Sequence, residues 1–566
     1  MKFWIIIILI MMFTCSLFAA DFESFAEFQR HIKNESQRVI DTEIHQQIRN
    51  TRESREYEVG DQHTFWRYDL SIMPPGWLQT PSTCRAAGEH CYVFVADEEW
   101  QIHMDESDVQ EVFNYLEIET MNGDDYGAVE MDTLHFGELP DELENDPKLI
   151  VFYSALGSFA GSTFDGYFSS YNQVTEAEAQ QMNPPGHSNE CEMIYMTCHP
   201  LDPTDPIRIS VLSHELEHLI HWGGDINEET WVDEGLAELA MVYFGMPDPI
   251  SQFNSNPDNS LNTWNQEWAD YVKTLLFFTY FAEQFDDGTI IKNIVSEPLN
   301  SIAGISNQLI EHGYTIPFEA IFNNWTIANY LDDPDVAQGQ YYYENLELPS
   351  FNPTHHHISF PATGSGTTNP WATDYIRLLP DVQNYNLHLE VNHPLNLGVI
   401  RKSDEVVSTV DFFIVSDVLD LNLPEMTDEY DQMILVLPNS DNSSLSYSYE
   451  ITEYTSAQNY ELEITNYGLT NYPNPFNPST TISFSISNQQ NERVELKIYN
   501  LKGQKVKDLS PSLCHPEFIE GQGETQYRAV WNGDNNNHKT VSSGIYYYKL
   551  IVDNKVVDTK KMMLMK

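Results

Sequence analysis

Two histidines four residues apart, His214 and His218, stand inside the segment Ile207–Trp222, and they constrain the chain more than any other feature. That segment carries apolar residues at Ile209, Leu212, Leu216, Leu219 and Ile220, the spacing of an amphipathic helix. Residues four apart lie on one helix face, one turn above the other, so both imidazoles can reach a single ion. Glu215 is adjacent and can reach a water on that ion. Gly223-Gly224 predicts the end of the helix. Further helices are expected over Thr230–Phe244, Glu267–Phe285 and Pro317–Leu331.

A catalytic zinc takes three protein ligands and keeps a fourth position open, so one ligand must come from elsewhere. Glu234 stands sixteen residues after His218, on the second helix, where folding back at the glycine pair presents it. Glu238 follows one turn on, placed to hydrogen-bond a zinc-bound imidazole. His221 is the rival ligand. It lies about 10.5 Å from His214 along a helix axis, too far for zinc bonds of about 2 Å with His218 between them. Three histidines in a row, His355 to His357, cannot converge on one ion from a strand, because neighbours face opposite ways. His199, after Cys198, reads as loop.

HELEHLIHW followed by WVDEGLAELA resembles the gluzincin metallopeptidases, particularly the hyicolysin-like secreted ones. The likeness takes in CYVFVADEEW and ISVLSHE and runs over roughly residues 90–330; Asp233 stands where such sequences often have Asn. It implies His214, His218 and Glu234 as metal ligands, Glu215 as the general base, and a zinc helix packed between a strand-rich upper half and a helical lower half. The expected function is hydrolysis of peptide bonds in extracellular proteins by a zinc endopeptidase. The rival, from a different class, is a non-catalytic surface adhesin or binding protein on a peptidase-like scaffold; it would gain nothing from keeping Glu215. For an oxyanion stabiliser the candidates are Tyr271 first, then Tyr243 and Tyr195.

The N-terminal residues Met1–Ala20 are a basic start, an apolar run and a small-residue end, the pattern of a secretory signal peptide. Met12-Phe13-Thr14 before Cys15 is a poor lipobox. No later apolar run reaches the ~20 residues of a spanning helix. The formal net charge of −58 argues against nucleic acid and anionic membrane as partners. It leaves room for Ca2+ beside Zn2+, with no residues assignable to it. Residues 471–566 hold 12 basic and 9 acidic residues, whereas the rest hold 16 and 77, which predicts a domain boundary near 470.

NYPNPFNPST, IYNLKGQKV, SSGIYYYKL and the ending KKMMLMK resemble the C-terminal sorting domain of the type IX (Por) secretion system. That resemblance implies passage through the periplasm to the cell surface or the medium, with the type IX machinery as a partner. The long stretch Pro511–Gln526 departs from it.

The expected fold is multidomain. A signal peptide (1–20) and a propeptide-like segment (21–63) precede an α+β zincin-like metallopeptidase domain (64–340). A β-sandwich-like accessory region (341–468) follows, then a small all-β, immunoglobulin-like sorting domain (469–566). Residues 154–206 read mostly as loop. Export permits disulfides. Cys84 with Cys91 and Cys191 with Cys198 are the simplest of three connectivities, and Cys514 is left over.

Overall fold

The structure is a computed structural model describing residues 56–453 and 469–564, short internal breaks aside. The signal peptide, most of the propeptide-like segment, Cys15, Cys514 and most of Pro511–Gln526 lie outside the described residues. The chain forms two compact units, 1–454 and 455–566.

The first unit opens with a six-stranded mixed sheet. Its strands are β1 (Gln62–Asp69), β2 (Gly76–Ala87), β3 (Cys91–Ala96), β4 (Leu149–Ser154), β5 (Gly166–Phe168) and β6 (Met193–Thr197), in the order β1-β2-β3-β4-β6-β5. The central strands β3, β4 and β6 are parallel and buried along their whole length, which is why they read as unbroken apolar runs. Two of these strands fall where the sequence suggests loop. Met193–Thr197 is too short and too uniformly apolar to show a period, and Gly166–Phe168 is only three residues long.

Alternation along the sheet separates two cores. Cys91, Val93 and Val95 face the helices, while Cys84, Tyr92, Phe94 and Tyr195 face the other side. Cys198 shares the helical face and Cys191 the opposite one. The expected local disulfides are therefore not formed: each pair projects to opposite faces of the sheet, and all four cysteines are buried.

On the helical face pack α1 (Glu106–Glu117), α2 (Ala128–His135), α3 (Pro206–Gly224), α4 (Thr230–Phe244), α5 (Trp268–Phe285), α6 (Ile290–Val295), α7 (Ser301–Glu311) and α8 (Phe318–Leu331). Asp205 caps α3 by accepting the Ile207 N–H, with Pro206 as its first helical residue. Gly223 and Gly224 act through close approach: a Cβ on Gly224 would overlap the Val295 carbonyl, and one on Gly223 would press on Pro140. Gly245 ends α4 at φ 99°, a conformation that favours glycine. Among the described residues no helix is long and apolar enough to cross a membrane.

Two antiparallel-dominated sheets follow. One holds β8 (Ala362–Thr368), β15 (Leu445–Glu453), β10 (Tyr385–Val391) and β13 (Val418–Asn422); the other holds β12 (Thr409–Val415), β11 (Leu395–Lys402), β14 (Gln432–Asn439), β9 (Ala372–Leu378) and β7 (His355–His357), each in that order. They enclose their own core, including Leu387, Leu397, Leu435 and Ile451. The outer face of the five-stranded sheet joins the helical core through Trp371, Tyr375, Ile400, Ile434 and Val436. Tyr375 donates to the Thr326 carbonyl at 2.7 Å, and the Trp371 ring meets Phe318 and Phe322, each at 5.4 Å. This β region and the helices therefore share one core.

The second unit is all-β. Its two four-stranded sheets are β16 (Thr470–Tyr472), β17 (Thr480–Ser487), β21 (Glu524–Trp531), β20 (Ser512–Leu513), and β19 (Lys505–Leu509), β18 (Val494–Asn500), β22 (Gly544–Val552), β23 (Lys555–Leu564). Ile482, Phe484, Leu496, Ile498, Trp531, Tyr548 and Leu564 fill its core.

Trp371→Ala is expected to cost about 3–5 kcal/mol, the usual loss for a buried tryptophan. Denaturant unfolding of the whole chain checks this: the transition of the first unit should shift to lower denaturant while that of the second stays in place.

Candidate metal centre

Helix α3 crosses α4 beneath β6 and β5. Its central turns carry His214, Glu215, Glu217 and His218, all buried. Glu234 lies in the second turn of α4, also buried. Next to it, Gly235 lets α5 approach: a Cβ there would overlap the Phe278 ring.

The three expected ligands converge. His214 Nε2 and His218 Nε2 are 3.1 Å apart, and a Glu234 carboxylate oxygen lies 3.5 Å from the first and 3.6 Å from the second. A tetrahedral ion with bonds of about 2.0–2.1 Å separates its ligands by about 3.3–3.4 Å, so this triangle fits zinc and leaves a fourth position. Two imidazoles and one carboxylate are also the donor set of catalytic zinc sites. Glu217, His218 and Asp233 form a second close group, but it uses Nδ1 of the same imidazole.

Each imidazole is backed by a carboxylate. Glu238 lies 3.5 Å from His214 Nδ1, and Asp233 lies 3.1 Å from His218 Nδ1. A proton held at each Nδ1 leaves the Nε2 lone pair for a metal. The sequence pointed to Glu238 for this position; Asp233 was noted only as a departure from a motif. Its helical position one residue before Glu234 was the available signal.

His221 points away from the triangle. Its Nδ1 is 3.3 Å from Glu217 and 3.5 Å from Asp233. Burial alone would lower its pKa, but the Glu217, Asp233 and Glu228 carboxylates outweigh that and push it up to about 9.

Glu215 extends toward the sheet edge, where one of its oxygens accepts the Phe168 N–H of β5 at 2.7 Å. Of the three candidate tyrosines only Tyr271, in the first turn of α5, belongs here. Burial and then the Glu234, Glu238 and Glu215 carboxylates hold its phenol well above the ordinary range. Its ring is fixed by Trp264 at 4.8 Å and Trp268 at 5.8 Å. Tyr195 lies on the opposite face of the sheet, bonded to Asn172, and Tyr243 stacks on His135 at 4.2 Å. Asp248, just after α4, is a neighbour the sequence did not single out. Burial pushes its carboxyl up to about 6, with His214 pulling down and Asp165 pushing up.

The histidine run behaves as strand geometry dictates. His355 and His357 lie parallel, 6.5 Å apart, while His356 approaches Arg377. His199 stacks on His103 at 3.9 Å.

Against known families, residues 470–517 match the secretion system C-terminal sorting domain. The chain is thus exported through type IX secretion to the cell surface or beyond, with that machinery as its partner. No curated protein matches the chain. Among solved structures it is similar to the PBSX exported protein XepA, at 8% identity and TM-score 0.13, covering 36% of this chain and 83% of that one. It is also similar to a putative beta-galactosidase from Bacteroides fragilis, at 14% identity and TM-score 0.15, covering 42% and 38%. A putative alpha-L-fucosidase from Bacteroides ovatus gives 10% and 0.13, covering 35% and 38%.

Two outcomes follow from this geometry and this match. Zinc affinity measured by chelator competition should fall about 10–100-fold in Asp233→Ala and in Glu238→Ala, and zinc should be lost from Glu234→Ala; an unchanged affinity in Asp233→Ala would remove it as the support of His218. Removing residues 470–566 should leave the chain in the periplasm, as fractionation and immunoblotting would read.

Proposed function

We propose that the first unit is a zincin-like, zinc-dependent endopeptidase acting on extracellular protein. The observation that carries this reading is the triangle of His214, His218 and Glu234, with Glu215 beside it at the sheet edge. The chemistry supplied by zinc held there is polarisation of a peptide carbonyl and acidification of a water toward neutral pH.

The chain's own residues account for the rest. Glu215 has one oxygen oriented by the Phe168 N–H, and its carboxylate serves as the base that takes a proton from the attacking water and returns it to the leaving amine. Strand β5 is the outer edge of the sheet, antiparallel to β6, and an extended substrate can add to that edge through main-chain hydrogen bonds. Tyr271 offers a hydroxyl beside the same carboxylates and is the donor for the oxyanion. Asp233 and Glu238 hold the two imidazoles in one tautomer.

A binding protein on the same scaffold has no use for Glu215 in this position. Glu215→Gln should keep one zinc per chain while casein hydrolysis falls at least about 1000-fold, since the base is lost and the ligands stay. Hydrolysis within tenfold of the parent would remove Glu215 from that role. Loss of zinc from the variant would show that it supports the metal instead.

A further inference from the structure

A cavity of about 360 Å³ opens where the end of α8 meets the five-stranded sheet. Its size is that of a small-molecule pocket. Leu348 and Phe351 give it an apolar wall, and Arg377 of β9 and Lys402 of β11 bring two cations to it. Only 16 basic residues precede position 471, against 77 acidic ones, so two cations lining one cavity stand out from the rest of the unit.

Its unmatched polar atoms are donors. Asn329 is 4% exposed; its amide oxygen accepts the Tyr343 hydroxyl at 2.6 Å, while its Nδ2 is buried without a hydrogen-bond partner. Arg377 meets His356 Nδ1 through Nη2 at 3.4 Å, but its Nε is likewise buried and, among the described residues, makes no hydrogen bond. Among the described residues, Lys402 Nζ donates to the Leu331 carbonyl at 3.4 Å. The acceptors are already engaged: Gln432 Oε1 accepts the Tyr330 hydroxyl at 3.1 Å, and Asp332, the one acid in the lining, accepts the Tyr343 N–H at 3.0 Å. Buried donors left unsatisfied are costly, and a ligand rich in acceptor oxygens relieves that cost. A carboxylate also matches the planar guanidinium. The chain's large negative charge does not forbid an anion here, because exposed charges are screened beyond about 8 Å at physiological salt.

We infer that this cavity binds a small organic carboxylate with an apolar or aromatic body, its carboxylate on Arg377 and Lys402 and its body against Phe351 and Leu348. The inference stands apart from the metal centre.

The probe is 3-phenylpropanoate, titrated calorimetrically into the full chain, with 3-phenylpropanamide as the uncharged control. The expected result is saturable binding at one site per chain, at least tenfold weaker for the amide. Arg377→Gln and Lys402→Gln should each weaken it at least tenfold, while Glu234→Ala leaves it unchanged. Three results would overturn the inference: no saturation up to about 10 mM; acid and amide binding alike; or binding lost in Glu234→Ala and kept in Arg377→Gln. The comparison of acid with amide uses the unaltered protein, so it decides even if a variant fails to fold.

Discussion

The structure depends on bringing two helices close enough to bury a cluster of charged groups between them. Along α3 and α4, His214, Glu215, Glu217, His218, His221, Glu234 and Glu238 are all buried. A buried charge is tolerated only when paired or bound to a metal. Here the imidazoles are interleaved with the carboxylates: Glu238 behind His214, Asp233 behind His218, and Glu217 beside His221. The arrangement needs backbones in near contact. The neighbouring helices close in on the pair in the same way, α6 at Gly224 against Val295 and α5 at Gly235 against Phe278, where a Cβ would overlap its neighbour.

The region after residue 345 belongs to the same mechanical unit. The turn at Asn369–Trp371 holds the loop before α5 through hydrogen bonds of Asn369 N–H to Asp258 at 2.6 Å and Leu261 N–H to the Trp371 carbonyl at 2.8 Å. That loop is bound in turn to the buried Lys273, which donates to the Thr263 carbonyl at 2.6 Å and to Asp270 at 2.8 Å. Asp270 precedes Tyr271. The β region thus fixes the helix turn that presents the tyrosine, a role beyond spacing the C-terminal unit from the rest.

Much of the centre was legible in the sequence because helical periodicity carries long-range information when one face is wholly apolar. Thr230–Phe244 is observed with the expected bounds, and the helix that carries His214 and His218 differs only by a residue or two at its ends. Glu234 followed from the need for a third ligand, the fold-back at the glycine pair and the family resemblance, and Glu238 from its place one helical turn further on. What was not legible depends on tertiary neighbours. Asp248 and Asp233 gain their surroundings only when α4 packs on α3. The strands at 166–168 and 193–197 take their form from the sheet they complete, and the cysteine spacing could not reveal which face of that sheet each thiol meets. Strand β7 is the histidine run His355–His357 itself, paired in parallel with β9.

The most direct test of the account is where a metal sits. Crystals of the full chain grown with zinc, measured on both sides of the zinc absorption edge, should show one anomalous peak per chain in the first unit, bonded to His214 Nε2, His218 Nε2 and the Glu234 carboxylate at about 2.0–2.1 Å. A peak on Glu217, Asp233 and His218 Nδ1 instead, or no peak at the triangle, would contradict it.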